Sequence, residues 1–177
     1  RFSVMTIDKI KSLIRTIPDV PSPGIMFRDI TPLLADPIGF DLAVGALVSL
    51  CGDRKPHKVI GVEARGFIFA APVAVRLGAG FVPVRKPGKL PWTVVSESYV
   101  LEYGTDTLEI HADAVGEGDS VVIVDDVLAT GGTAAATIRL VESLGAKVAG
   151  LIFLIELTDL GGRKLIDGYE INSVLNF

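Results

Sequence analysis

Cysteine and histidine are scarce, with one and two residues in a chain of 177. A lone Cys51 excludes an intrachain disulfide and a Cys-rich zinc site, and His57 and His111 are too few for a His-based metal centre. Surface positions suit both histidines. No apolar run reaches the ~18 residues of a membrane-spanning helix, and Arg1–Thr6 lacks the apolar core of a leader segment. Positive charge is not in excess: 17 Lys and Arg against 21 Asp and Glu leave a net charge of −4. That balance argues against nucleic-acid binding by bulk electrostatics, so any anionic ligand must be held by a local cluster. What remains is 49% hydrophobic and 21% charged. This describes one folded domain over residues 1–177, soluble and cytoplasmic, with no membrane or nucleic-acid partner.

Most of the chain alternates between short β-branched runs and helical stretches. Ile7, Ile10, Leu13, Ile14 and Ile17 recur at helical spacing, predicting an amphipathic helix from near Thr6 to Pro18. Residues 18–24 are loop by composition, and Asp36-Pro37 reads as an N-cap with proline at the first helical position. Strands are expected at Lys58–Val62, Gly80–Arg85 and Val121–Val124, within Lys147–Glu156, and at Ile171–Leu175. Helices are expected at Phe40–Cys51, Phe67–Leu77, Ala134–Leu144 and Leu160–Ile166. Pro72 leaves the start of the second of these open. Ser96–Glu102 and Thr105–Ile110 read as a hairpin around Tyr103-Gly104. Strands alternating with helices imply an α/β fold with a mainly parallel central sheet flanked by helices.

The stretch that organises the rest is Val121–Thr133, VVIVDDVLATGGT. Four apolar residues look like a buried central strand, and Asp125 and Asp126 stand where it should leave the sheet. A turn, Thr130-Gly131-Gly132-Thr133, then opens a helix. Unpaired N–H groups in a helix's first turn attract an anion, and glycine lets the backbone approach it closely. The two carboxylates repel phosphate but accept hydrogen bonds from ribose hydroxyls or face a divalent cation. Phosphate on the turn and a polyol on the acids describe a phosphorylated ribose. Two further clusters should follow neighbouring strands at the same sheet edge, where ligands of open α/β sheets bind. Glu63-Ala64-Arg65-Gly66 is a short turn that could offer N–H groups and the Arg65 charge to an anion. Arg85, Lys86 and Lys89 place three positive charges within five residues. A surface arginine and a solvated loop are the alternative readings.

VVIVDDVLATGGT resembles the phosphoribosyl pyrophosphate (PRPP) binding motif of the type I phosphoribosyltransferases. PSPGIMFRDITPLL (Pro21–Leu34), GVEARGF (Gly61–Phe67), VPVRKPGKLP (Val82–Pro91) and LEYGTDTLEI (Leu101–Ile110) narrow the resemblance to the adenine phosphoribosyltransferase family. It implies transfer of phosphoribose from PRPP to adenine, giving AMP and pyrophosphate, with Mg2+ held mainly by the phosphates and water and no protein metal site. It also implies a homodimer, an N-terminal helix and base-binding hood over 1–36, and a flexible hairpin lid over 86–105. Residue by residue, Ala129, Thr130, Gly131, Gly132 and Thr133 would seat the 5′-phosphate, and Asp125 and Asp126 the ribose hydroxyls. Glu63, Ala64 and Arg65 would form a diphosphate loop containing a non-proline cis peptide. Arg85, Lys86 and Lys89 would meet the diphosphate, with Arg85 supplied from a neighbouring subunit. Catalytic roles fall to Glu102, Arg65 and Lys89, with Glu102 bonding adenine's second imidazole nitrogen. Met26, Phe27 and Arg28 would read the base, and Tyr103 would close over it.

Trp92 departs from the small or polar residue expected after KLP, which bears on packing of the lid and not on the reaction class. Two other functions compete: transfer to hypoxanthine, guanine or xanthine, and a PRPP-sensing regulator without catalysis. Such regulators append a DNA-binding domain, for which neither the length nor the acidic charge leaves room.

Overall fold

The computed structural model describes residues 3–101 and 104–177. In chain order the elements are α1 (Val4–Ser12), β1 (Arg15–Pro18), β2 (Met26–Asp29), α2 (Thr31–Ala35), α3 (Pro37–Leu50), β3 (Lys58–Val62), α4 (Arg65–Leu77) and β4 (Gly80–Val84). They continue with β5 (Val94–Val100), β6 (Thr105–His111), β7 (Ser120–Leu128), α5 (Gly132–Ser143), β8 (Lys147–Glu156) and β9 (Ile171–Asn176). Two 3-10 turns, Thr158–Leu160 and Gly162–Ile166, separate β8 from β9.

The apolar run Val121–Val124 sits where such a run is stable, in the middle of a parallel sheet covered on both faces. The order is β4-β3-β7-β8-β9, and every pairing in it is parallel. Ile60, Val121, Ile123 and Phe153 pack on one face with Ala134, Ile138 and Val141 of α5. Val59, Val122, Val124 and Ile152 pack on the other with Leu47 of α3 and Phe69 and Val73 of α4. The antiparallel pair β5-β6 buries Tyr99, Leu108 and Ile110 in the α5-side core, and Arg85 bridges to Glu109 where that pair meets the edge of β4.

Four sequence expectations need correction. The first helix ends at Ser12, and Arg15–Pro18 is instead a strand paired antiparallel with β2. Thr16 and Ile17 are β-branched, and an available partner strand outweighs a helical spacing that continues only by coincidence. That helix also starts before Thr6, whose N–H bonds to the capping Ser3 Oγ at 3.2 Å. α4 begins at Arg65 rather than Phe67 and carries Pro72 inside it. β7 does not stop at Val124: pairing with β8 continues as far as Leu128↔Glu156, so Asp125 and Asp126 lie within the strand. The expected helix at Leu160–Ile166 is a 3-10 turn that begins at Gly162.

The Asp36 cap stands as the sequence indicates, accepting from Gly39 N–H at 2.6 Å with Pro37 opening α3. Asp36→Ala removes that bond. It should cost about 1 kcal/mol and lower Tm by about 2–4 °C in a domain of this size, as read by thermal denaturation.

Candidate active site

Parallel pairing of β4, β3 and β7 brings the segments after all three to one edge of the sheet. There a cleft of about 300 Å³ opens, walled by Val62–Gly66 on one side and Asp125–Ala134 on the other, with Phe153 of β8 also lining it. Two helices aim their N-termini into it. α4 starts at Arg65, directly after the Glu63–Ala64 peptide, which is cis. α5 starts at Gly132, and its first i→i−4 bond is Ala135 N–H to Gly131 at 2.9 Å. The amides of Gly132, Thr133 and Ala134 precede that bond and have no acceptor within the helix.

Asp125 and Asp126 form the acidic part of the wall. Asp126 is 5% exposed, and its Oδ2 lies 2.8 Å from Arg65 Nε. The approach is too poorly aligned to count as a hydrogen bond, so that oxygen lacks such a partner among the described residues. Asp125 Oδ1 accepts from the Asp126 N–H at 2.9 Å and presses against α4, where a Cβ on Gly66 would stand 2.6 Å from it. Burial, and then the charge of Asp126, push the Asp125 carboxyl well above its ordinary range.

The turn Ala129–Gly132 is held from behind. Gly131 has φ +88°, and a Cβ there would come within 2.6 Å of the Gly162 carbonyl oxygen. A Cβ on Gly162 would meet the Ala129 carbonyl oxygen at 2.4 Å and the Gly131 nitrogen at 3.1 Å. Sequence reasoning missed this backing segment, although the Gly161-Gly162 doublet was its signal. The buried Glu156 fixes it: both carboxylate oxygens accept from Arg163, at 2.6 and 2.7 Å, and Ser173 Oγ donates at 2.8 Å.

Of the residues singled out in the sequence, Glu63, Ala64, Arg65, Asp125, Asp126 and Ala129–Thr133 line the cleft together. The basic loop stands outside its lining. Arg85 Nε and Lys86 N–H bond the Glu63 carboxylate at 2.7 and 2.8 Å, and Lys86 Nζ pairs with Asp106. Burial works against the charge of Glu63, but the Lys86 N–H and Arg85 outweigh it and hold the carboxyl below its ordinary range. Met26, Phe27 and Arg28 also lie outside the lining, on β2. The Phe27 ring reaches toward the cleft, 5.8 Å from Arg65 Cζ. Arg28 lies over the Phe177 ring at 4.2 Å and donates to Thr16 Oγ1 at 2.5 Å. Trp92 is exposed, with its N–H 3.4 Å from His111 Nε2. Glu102 and Tyr103 lie outside the described residues.

Gly162→Ala forces a backbone contact apart, an overpacking cost of about 1–3 kcal/mol. The variant should lose about 2–10 °C in Tm and bind inorganic phosphate more weakly, as read by calorimetric titration. Asp125 binds its proton more readily folded than unfolded, so its charged form costs folding free energy at neutral pH. That cost disappears as pH falls through the raised folded pKa. Asp125→Asn should therefore have a higher Tm than the wild type at pH 7, with the gap closing in acid. A gap that stays constant with pH would contradict this account.

The phosphoribosyl transferase domain model matches residues 31–175. The adenine phosphoribosyltransferase of Thermoanaerobacter pseudethanolicus is 58% identical, over 98% of this chain and 100% of its own. A crystal structure of the enzyme from that species superposes with a TM-score of 0.94, covering 97% of this chain and 99% of that one. The Saccharomyces cerevisiae adenine phosphoribosyltransferase, solved with adenine and an imino-altritol bisphosphate, is 38% identical with a TM-score of 0.91, covering 97% and 99%. Matched along nearly its whole length in both sequence and backbone, the chain belongs to the phosphoribosyl transferase family, among the adenine phosphoribosyltransferases.

Proposed function

We infer that the protein transfers the 5-phosphoribosyl group of PRPP to adenine, giving AMP and pyrophosphate, a step of purine salvage. The observation that carries this reading is the cleft itself. One wall holds a helix N-terminus next to two acids, and the facing wall holds a second helix N-terminus with an arginine. A sugar phosphorylated at one end and diphosphorylated at the other spans such walls.

In this reading the 5′-phosphate sits on Ala129–Thr133, where three amides and the dipole of α5 favour negative charge. The ribose hydroxyls donate to Asp125 and Asp126, and those bonds compensate the buried charge of Asp125. The diphosphate lies along Glu63, Ala64 and Arg65, where Arg65 exchanges its contact with Asp126 for phosphate oxygens. Lys86 and Lys89 approach from the loop after β4. Arg85 is committed to Glu63 within its own subunit, and reaches a diphosphate only by giving up that pair or by crossing to the partner of a homodimer. Exposed Phe81 on edge strand β4 and Val75 on α4 are apolar groups that a second copy would cover.

The bond between the anomeric carbon and the diphosphate oxygen breaks as a base nitrogen attacks. Positive charge develops on the sugar, and negative charge on the leaving group is met by Arg65 and the helix end. Holding both ends of the substrate supplies the orientation, which is worth up to ~7–11 kcal/mol of barrier. Glu102 takes the proton-holding role on adenine's other imidazole nitrogen, and Tyr103 covers the base. Met26, Phe27 and Arg28 flank it, with backbone groups of β2 reading the amine. Among the described residues no group of three His, Cys, Asp or Glu side chains converges on a cation. Mg2+ would take most of its ligands from phosphate and water, with the hard oxygens of Asp125 and Asp126 available to it. The free, buried Cys51 suits a reducing cytoplasm.

A spectrophotometric assay with PRPP, Mg2+ and each purine in turn tests the reading. AMP should form from adenine, with discrimination against oxo-purines reaching ~10⁴ when buried polar groups are left unpaired. Transfer to hypoxanthine and not adenine would overturn the specificity, and transfer to no purine would overturn the activity.

A further inference from the structure

A polar chain runs from the basic loop to the turn that opens α5, through residues without a role so far. Lys86 Nζ pairs with Asp106. Asp106 Oδ2 accepts from Tyr99 OH at 3.1 Å, and the same hydroxyl lies 3.1 Å from Thr133 Oγ1. Tyr99 and Asp106 are directly opposed across β5 and β6. Tyr99 is only 8% exposed. Its ring covers Gly132, where an added Cβ would stand 3.1 Å from Tyr99 Cδ2. Glycine at 132 is thus what lets a tyrosine rest on the first turn of the helix.

Each hydroxyl in this chain has a single hydrogen to donate. With the turn empty, Thr133 can donate to Tyr99 while Tyr99 donates to Asp106. A phosphate oxygen arriving at the turn takes the Thr133 hydrogen. The Thr133–Tyr99 contact then survives only if Tyr99 turns its own hydrogen to Thr133, which leaves Asp106 to Lys86 and the Thr107 N–H. Asp106 is suited to this exchange: the Lys86 hydrogen bond, ahead of smaller contributions, holds its carboxyl below the ordinary range, so it stays an acceptor throughout.

We propose that Tyr99 is a positioning residue of the phosphate turn. Its hydroxyl holds Thr133 in place, and it passes phosphate arrival to Asp106 and Lys86 by reversing one hydrogen bond. This rests on reading residues 129–133 as the phosphate seat. It adds a residue that touches no substrate but fixes one that does, and it ties the hairpin and the loop after β4 to occupancy of that seat.

Tyr99→Phe keeps the ring over Gly132 and deletes only the hydroxyl. Loss of one such bond should raise KM for PRPP and weaken ribose 5-phosphate binding by about three- to tenfold, with Tm and the KM for adenine unchanged. Adding Asp106→Asn should change the PRPP KM less than its effect in the wild-type background, because both act through one chain. A PRPP KM within about twofold of wild type, additive effects of the two substitutions, or a parallel rise of both KM values with a lower Tm would each overturn the proposal. Should the wild type transfer to no purine, the functional reading fails by itself. Ribose 5-phosphate titration of wild type and Tyr99→Phe then still decides the role of Tyr99, equal affinities overturning it.

Discussion

The structure turns on a concentration of negative charge where a buried parallel strand meets a cleft. Asp125 and Asp126 are adjacent on β7, one pressed against the glycine of α4's first turn and the other 5% exposed beside Arg65. Two carboxylates in such a place repel each other and lose hydration, so neighbouring features must offset the cost. The Asp126 amide, the Arg65 guanidinium and the positive end of α4 do so in part. Burial and the neighbouring Asp126 charge still push the Asp125 carboxyl above its ordinary range, so the compensation is incomplete. A ligand with hydroxyl donors would complete it, which is the ground for proposing a sugar there and not a bare anion.

Four cations in and around the cleft each face an acid. Arg65 faces Asp126, Arg85 faces Glu63, Lys86 faces Asp106 and Arg163 faces Glu156. The first three lie where the diphosphate is proposed to enter, so in that reading those cations would meet it by exchanging partners. In that reading a chain of net charge −4 would hold a polyanion through local cations released from their acids. The Glu156–Arg163 pair differs. It is bidentate, further bonded by Ser173, and holds a backing segment in place.

Much of this was legible in local sequence. Lys58–Val62 is a strand with the bounds that its apolar run indicates, and Lys147–Glu156 contains a strand as expected. The Asp36-Pro37 pair caps α3 as its chemistry requires. The convergence of Glu63–Arg65 with Asp125–Thr133 follows from the strand-end rule and the parallel order. Other features were not legible. Ile14 and Ile17 continue a helical spacing by chance, and only the pairing of β1 with β2 takes the strand away from α1. The acids were expected to leave the sheet, yet β8 extends its pairing past them. Tyr99 and Asp106 are ordinary hairpin residues in sequence, and their link to Thr133 depends on how β5 and β6 dock on α5.

The sequence by itself determined the α/β class, the glycine-rich turn that opens α5, the acid pair and the family resemblance. Each of these is written in contiguous residues whose periodicity, turn chemistry or motif is local. Tertiary structure alone decided which cations meet which acids, that Gly162 stands behind Gly131, and that a hairpin tyrosine rests on Gly132. Those contacts join residues far apart along the chain. They are chosen by sheet order and close packing, which no local pattern encodes.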